Sequence, residues 1–157
     1  MNIITKKGFL KLKSEFDYLH QYERPKVVNG VANAAAEGDR SENAEYIYGK
    51  KRLREIDKRL QYLSRLLKDA KIIQKNQVIT SSVNFGCKVT VVDDDDKEKQ
   101  FTIVGEGESD IKDNSISYKA LVASALLGKK INDTVEIELP RGEVTYTIID
   151  IEVGDID

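Results

Sequence analysis

The stretch YIYGKKRLREIDKRLQYLSRLLKDA, residues 46–70, decides the fold of the N-terminal half. Apolar or small side chains recur along it at alternating intervals of three and four residues, at Tyr46, Gly49, Leu53, Ile56, Leu60, Leu63, Leu67 and Ala70. Such a heptad seam is typical of a helix that packs lengthwise against another helix. The partner is predicted upstream, from about Thr5 to Ala36, with a matching seam at Phe9, Leu12, Phe16 and Leu19. Together the two stretches predict an antiparallel coiled-coil hairpin.

Two residues predict where the first helix bends and where it ends. Pro25 has no backbone N–H, so we expect it to kink the helix or to start a new segment. Gly38 can take the left-handed conformation that often ends a helix. Residues 37–46, EGDRSENAEY, therefore form the tip of the hairpin. A helix of this length reaches roughly 45–50 Å, which is more than a small hydrophobic core requires.

The C-terminal half changes from helical periodicity to that of strands. Its predicted elements are the strands Cys87–Val92, Gln100–Val104, Thr134–Leu139 and Glu143–Glu152 and one short helix, Ala120–Leu127. The acidic run Asp93–Lys97 is interpreted as a solvated turn between the first two strands. The predicted fold class is α+β, with a coiled-coil hairpin over residues 1–75, a linker over 76–84 and an α+β domain over 85–157.

Composition excludes several classes of protein. The chain has 157 residues, and its one cysteine, Cys87, rules out a disulfide framework or a cysteine-rich metal site. Its apolar runs are too short to span a bilayer, so we expect a soluble, cytoplasmic protein with no membrane contact. Residues 1–75 carry 17 Lys+Arg against 10 Asp+Glu, and residues 76–157 carry 8 against 17. A basic arm on an acidic module suggests that the arm meets a polyanion.

The tip carries two carboxylates, Asp39 and Glu42, that have two interpretations. Asp-x-x-Glu before a helix resembles a capping box, in which the side chains satisfy backbone N–H groups of the first turn. Alternatively, both carboxylates help to hold a hard divalent cation such as Mg²⁺. Two carboxylates on an exposed tip bind Mg²⁺ poorly alone, so a partner would have to supply further ligands.

The second helix carries an excess of positive charge away from its seam. Residues 50–75 contain ten Lys+Arg and three Asp+Glu. The predicted nucleic-acid-binding residues are Lys50, Lys51, Arg52, Arg54, Lys58, Arg59, Arg65 and Tyr46, with Tyr48 and Tyr62 as further candidates for stacking. The alternative is the ordinary solvated face of a coiled coil.

A family resemblance rests on the tip and on the basic run after it. GDRSENAEY at residues 38–46 and KKRLREIDKR at residues 50–59 closely resemble the bacterial transcript cleavage factors, in particular the GreB branch of the GreA/GreB family. The resemblance extends to GFLKL at 8–12, ERP at 23–25 and ALLGKK at 125–130, and so covers the whole chain. It implies a hairpin followed by a domain similar to FK506-binding proteins.

The resemblance also implies a function. Members enter the secondary channel of bacterial RNA polymerase and stimulate the polymerase's own hydrolysis of the 3′ end of backtracked RNA, so the protein would be an activator and not itself an enzyme. Asp39 and Glu42 would then bind Mg²⁺ jointly with the polymerase, and Ser41 would help to arrange the reacting water or phosphate. The basic residues of the second helix would then contact RNA or the polymerase, and the protein is expected to act as a monomer.

The docking surface departs from the family pattern. Ala120, Leu121 and Val122 are the predicted docking residues, but Lys119-Ala120-Leu121 stands where members usually carry Asp-Ser-Pro. Three alternatives stay open: an inhibitory regulator that binds the same channel, a structural coiled-coil adaptor and a prolyl isomerase. The last is disfavoured because the chain has no tryptophan and its C-terminal half offers only Phe85, Phe101, Tyr118 and Tyr146.

Overall fold

The structure, a computed structural model, describes residues 2–38 and 43–157. It divides the chain into two compact units, one from Leu10 to Lys68 and one that combines Asp69–Asp157 with the N-terminal residues up to Phe9. The predicted hairpin domain ended at residue 75 and was followed by a linker over 76–84. The structure differs, because Val83 is fully buried in the core of the second unit. Val83 also exchanges backbone hydrogen bonds of 2.8 Å with Gly128 and Lys129, which fixes this segment to the unit.

The hairpin consists of two long helical segments, as predicted. Its elements are α1 (Lys6–Tyr18), a π-helical turn (Leu19–Glu23), α2 (Arg24–Ala36) and α3 (Ala44–Leu67). The predicted irregularity near Pro25 is confirmed by the π-helical turn, where the Arg24 N–H donates to the carbonyl of Leu19, five residues earlier. Pro25 itself lies in the first turn of α2, where its missing N–H costs least.

Burial confirms the heptad seam as far as Leu63, but at the end of α3 it is Leu66 that is buried, whereas the predicted Leu67 is half-buried. The buried side chains of the hairpin unit are Leu12, Leu19, Ala34, Ile56, Leu63 and Leu66. Gly49 lies on the same seam, and a Cβ added there would approach Val31 Cγ2 to 2.6 Å. A side chain at this position would have to displace Val31, so glycine lets α2 and α3 pack closely.

The second unit is built on a five-stranded sheet. Its strands are β3 (Cys87–Val92), β4 (Glu98–Val104), β5 (Ser115–Ser117), β6 (Thr134–Leu139) and β7 (Gly142–Val153). The order is β5-β4-β3-β7-β6; β4 and β5 pair in parallel, and the other neighbours are antiparallel. The short helix α4 (Leu121–Leu126) packs Ala123 and Leu126 into the core of the sheet. The α+β class is confirmed.

The acidic turn between β3 and β4 is organised by Asp93. Its Oδ1 accepts from the backbone N–H groups of Asp95 at 2.9 Å and Lys97 at 3.0 Å. Both bonds lower the pKa of Asp93, and the bond from Lys97 has the larger effect. The turn therefore holds its shape through its own hydrogen bonds, as a solvated turn does.

A small parallel sheet joins the start of the chain to the second unit. It pairs β1 (Ile3–Thr5) with β2 (Lys71–Ile73). Thr5 caps α1, because its Oγ1 accepts from the Gly8 N–H at 2.9 Å. The carboxylate of Glu108 accepts from the Thr5 N–H at 3.1 Å and from the Gly105 N–H at 2.6 Å, and it also bonds the Thr5 hydroxyl. The first turn of α1 is thus fixed within this unit.

Candidate functional site: hairpin tip, basic face and apolar helix

The tip is the predicted catalytic and metal-binding site. Asp39, Ser41 and Glu42 lie outside the described residues, so their roles stay predictions. The structure does describe both sides of the loop. Helix α2 ends before Gly38, which has a φ of +135° and so takes the positive φ that was predicted for it. On the other side, α3 begins after Asn43.

Asn43 caps α3, and sequence reasoning missed this role. Its Oδ1 accepts from the backbone N–H groups of Glu45 at 3.1 Å and Tyr46 at 3.2 Å. Its Nδ2 donates to the carbonyl of Ala34 at 2.8 Å, which joins the start of α3 to the last turns of α2. The N-cap position of α3 therefore belongs to Asn43, whereas the capping-box interpretation concerns Asp39 and Glu42, which lie outside the described residues. Asparagine is a preferred cap residue, and that preference was the available signal.

Replacing Asn43 with alanine is expected to destabilise the hairpin by about 1–2 kcal/mol, because α3 loses its cap. The change also removes the hydrogen bond to Ala34. Thermal unfolding followed by circular dichroism at 222 nm measures the effect. Asn29→Ala is the matched control, since Asn29 is an exposed residue within α2 and alanine is the better helix former there. Equal stability of the two variants would contradict the assigned cap.

Part of the predicted basic face is exposed on α3. Lys50, Lys51, Arg54 and Lys58 are all solvent-exposed. Lys51, Arg54 and Lys58 follow an i, i+3, i+7 spacing, which places them on one side of the helix, opposite the seam. Among the residues that the structure describes, these three cations make no ion pair. They form a positive stripe, which we call the basic stripe, with its charges available to a partner.

Arg52 and Arg59, also predicted to bind RNA or polymerase, instead connect the two helices. Arg52 Nε lies 2.7 Å from Glu23 Oε1, and Arg59 Nε lies 2.6 Å from Glu15 Oε2. The hydrogen bond to Arg59 lowers the pKa of Glu15, and the same bond raises the pKa of Arg59. Partly exposed pairs of this kind contribute little stability, and both link α3 to the first helical segment.

The remaining predicted binding residues, Arg65 and the tyrosines of α3, differ in their neighbours and in their exposure. The guanidinium groups of Arg59 and Arg65 each lie 5.3 Å from the ring centroid of Tyr62, so that ring already has cationic neighbours. Tyr46 is half-buried at the start of the seam. Tyr48, in contrast, is 71% exposed. Of the three tyrosines considered for stacking, Tyr48 is therefore the one that presents most of its ring to solvent.

The predicted docking residues lie at the start of α4. Leu121 is 60% exposed, whereas Val122 and Ala120 are half-buried against the core of the second unit. An exposed leucine at the start of a short, otherwise anchored helix is a suitable apolar contact for a protein partner. Tyr146, in contrast, is buried in the core, with its ring centroid 6.0 Å from that of Phe101, which disfavours an isomerase pocket built around it.

Residues 2–38 and 43–157 contain neither a cluster of metal-ligating side chains nor a membrane-spanning helix. No three side chains of His, Cys, Asp or Glu in these ranges converge as a metal site would require. None of the helices described there has the length and apolar character needed to cross a membrane.

Comparison with known proteins assigns both halves of the chain to one family. A family model described as "Transcription elongation factor, N-terminal" matches residues 2–72, and "Transcription elongation factor, GreA/GreB, C-term" matches residues 78–153. Transcription elongation factor GreB of Yersinia pestis is 44% identical over 156 residues, which cover 99% of this chain and 91% of that protein. GreB of Haemophilus influenzae is 46% identical over 147 residues, covering 94% and 93% of the two chains.

A solved structure shows a more distant likeness. GreA factor homolog 1 of Thermus thermophilus matches 96% of this chain and 97% of its own, at 18% identity and a TM-score of 0.45. The assignment rests on the sequence matches, which are far more specific. The chain belongs to the GreA/GreB family of transcription elongation factors.

Proposed function

We propose that this protein is a transcript cleavage factor that inserts its hairpin into the secondary channel of bacterial RNA polymerase and stimulates hydrolysis of backtracked RNA. Its family membership supports action during elongation. The observation that carries the proposal further is the cap of α3. Asn43 occupies the N-cap position of α3, the position that the capping-box interpretation would require of Asp39. We therefore propose another function for Asp39 and Glu42, the two carboxylates of the tip sequence.

Magnesium binding is the function that suits these carboxylates. Mg²⁺ takes oxygen ligands and commonly uses one or two protein carboxylates, leaving its other positions to phosphate and water. Asp39 and Glu42 would supply two such ligands, and the polymerase would supply the rest. When bound, the ion stabilises charge on the reacting phosphate and activates water. Ser41 would orient the water or the phosphate through its hydroxyl, which can both donate and accept a hydrogen bond.

The basic stripe extends the same site along α3. Lys51, Arg54 and Lys58 carry three exposed charges without partners in the described part of the chain. Such charges bind a phosphate backbone independently of its sequence. We assign them to the extruded 3′ segment of the RNA and Lys50 to the same face. The protein itself breaks no bond; it completes an active site whose main parts belong to the polymerase. We propose that it acts as a monomer in the cytoplasm.

A cleavage assay tests the proposal. Purified polymerase is stalled on a template with labelled RNA, backtracked, and incubated with Mg²⁺ and the protein. We expect rapid release of short 3′ fragments and no cleavage of the same RNA when polymerase is left out. Cleavage without polymerase would make the protein a nuclease. Slower elongation without fragment release would make it an inhibitory regulator.

Leu121→Asp tests the assigned docking surface. Loss of the anchor lowers the effective concentration of the hairpin at its target, so the protein concentration for half-maximal cleavage should rise roughly 10-fold or more. Excess protein should restore the full rate, because the tip is intact. Ile79→Asp is the matched control, since Ile79 is 59% exposed and Leu121 is 60% exposed. An equal defect in both variants would refute a specific contact at α4.

A further inference from the structure

A groove on the hairpin lies beside the basic stripe and has no assigned role. It encloses about 760 Å³ and is lined by residues of both helical segments, all within the hairpin unit. Three tyrosines form its aromatic part, and they are strongly exposed: Tyr18 by 58%, Tyr22 by 69% and Tyr48 by 71%. A volume of this size is within the range of ligand-binding clefts, roughly 300–1,000 Å³.

The aromatic rings are arranged for stacking. The ring centroids of Tyr18 and Tyr22 lie 6.2 Å apart with planes inclined by 25°, an approximately stacked pair on one side of the helix. Tyr48 lines the groove from α3. Exposed rings that share one groove and have little contact with the core form a surface on which a flat, apolar ligand can stack.

Two glycines line the groove. Gly49 has a packing reason, since a Cβ there would meet Val31. Gly30 has no such packing reason, because no atom lies within 4 Å of a Cβ added there. Glycine inside a helix is less favourable than any residue except proline. Gly30 lines the groove, so its missing side chain leaves the groove accessible at some expense of helix stability.

Charge and angular position together indicate the ligand. At about 100° per residue, Tyr48 lies roughly 60–80° around α3 from Lys51 and Lys58, on the side toward the seam. The groove itself is balanced in charge: Glu23 pairs with Arg52, and Lys26 and Glu45 carry opposite charges. A neutral planar group therefore suits the groove, while a polyanionic backbone suits the adjoining basic stripe. Single-stranded nucleic acid has both features.

We propose that the tyrosine groove binds one or two unstacked bases of single-stranded RNA, whose sugar-phosphate backbone follows Lys51 and Lys58. This inference rests on the proposed function, which supplies such RNA as the extruded 3′ segment. It adds Tyr18 and Tyr22, on the first helical segment, to the RNA-binding surface. Base stacking tolerates any sequence, because every base has a π-face.

Binding of a fluorescein-labelled oligouridylate to the full-length protein, followed by anisotropy, tests the groove directly. Tyr22→Ala and Tyr48→Ala should each weaken binding about five-fold or more, whereas Tyr22→Phe and Tyr48→Phe keep a ring to stack on and should bind as the wild type. Neither alanine variant should change the slope of affinity against salt concentration, since no phosphate contact is lost. With an abasic oligomer of equal length, the alanine variants and the wild type should bind alike.

Gly30→Leu is a second test in which stability and binding change in opposite directions. Leucine is a much better helix former than glycine, so Tm should rise. The new side chain should occupy the groove and weaken binding of the oligouridylate. Asn29→Leu adds the same side chain one residue earlier, at an exposed position outside the groove, and should leave RNA affinity unchanged.

Two outcomes would overturn the inference. The first is wild-type affinity for oligouridylate in Tyr22→Ala and Tyr48→Ala, or a defect that persists with the abasic oligomer. The second is that Tyr22→Ala and Tyr48→Ala bind the oligouridylate normally but bind polymerase more weakly than the wild type does. That result would assign the groove to a protein segment. Failure of the proposed function is distinct from both, because then the wild-type protein would release no 3′ fragments from backtracked complexes.

Discussion

Asp39→Ala and Glu42→Ala are each expected to lower the stimulated rate of RNA cleavage by roughly 100-fold or more, the scale on which loss of one transition-state contact is felt. On the proposed mechanism, each change would remove one carboxylate ligand from the metal site that the protein shares with the polymerase. The free energy of unfolding should change by less than about 1 kcal/mol, because the cap of α3 is Asn43. Single-turnover cleavage of a backtracked complex measures the rate, and thermal unfolding measures the stability.

Glu37→Ala is the control for the tip. Glu37 is an exposed acid directly after α2, close in sequence to the same loop, and it has no assigned ligand role. Its removal should leave cleavage nearly unchanged. A higher Mg²⁺ concentration should partly restore the activity of Asp39→Ala or Glu42→Ala but should not affect the control. Normal cleavage by both tip variants would end the metal-ligand interpretation.

Reversal of the basic stripe, by Lys51→Glu, Arg54→Glu and Lys58→Glu together, is expected to reduce cleavage about 10-fold or more on complexes with long backtracked RNA. Three lost contacts to single-stranded phosphates should also flatten the slope of log affinity against log salt by about 2. Complexes backtracked by only two or three nucleotides should be less affected, because a short tail does not reach along α3. Rates at several salt concentrations, on tails of both lengths, give the result.

A matched triple reversal separates RNA contact from overall charge. Lys97→Glu, Lys112→Glu and Lys130→Glu change the net charge equally, but these exposed lysines lie on the second unit. This control should cleave both substrates normally. A loss on long and short tails alike in the stripe variant would indicate polymerase docking and not RNA contact, and a similar loss in the control would indicate a general effect of charge.

The hairpin could be predicted because its burial repeats over many turns. Eight seam positions from Tyr46 to Ala70 give a period that no single substitution obscures. The strands β3 and β6 have the predicted bounds, since alternation over six residues is enough to recognise them. The strands β1 and β2 are three residues each, too short to show a period, and their pairing across the chain left no local signal.

The site was less predictable, because its partners are distant in sequence. The sequence indicated that Arg52 and Arg59 belong to a uniform positive face. Their carboxylate partners, Glu23 and Glu15, are 29 and 44 residues away in the sequence. A charge count on one helix cannot show which cations the opposite helix neutralises. Asn43 was overlooked because the acids before it offered a familiar motif. The sequence pattern did not indicate Tyr18 and Tyr22 as site residues either. Their groove depends on the absence of a side chain at Gly30, which a residue pattern does not reveal.

The pairing of β1 with β2 makes the second unit discontinuous in sequence. The hairpin is therefore an insertion within that unit and does not precede it as a separate domain. A truncation that begins at residue 83 would discard both short strands and the Thr5–Glu108 contact, and so would not isolate the second unit intact. The hairpin can instead be excised as a cassette, with a short glycine-rich loop joining Phe9 to Asp69, or exchanged for the hairpin of a relative. Such grafts would show whether cleavage behaviour moves with the cassette while docking stays with the host.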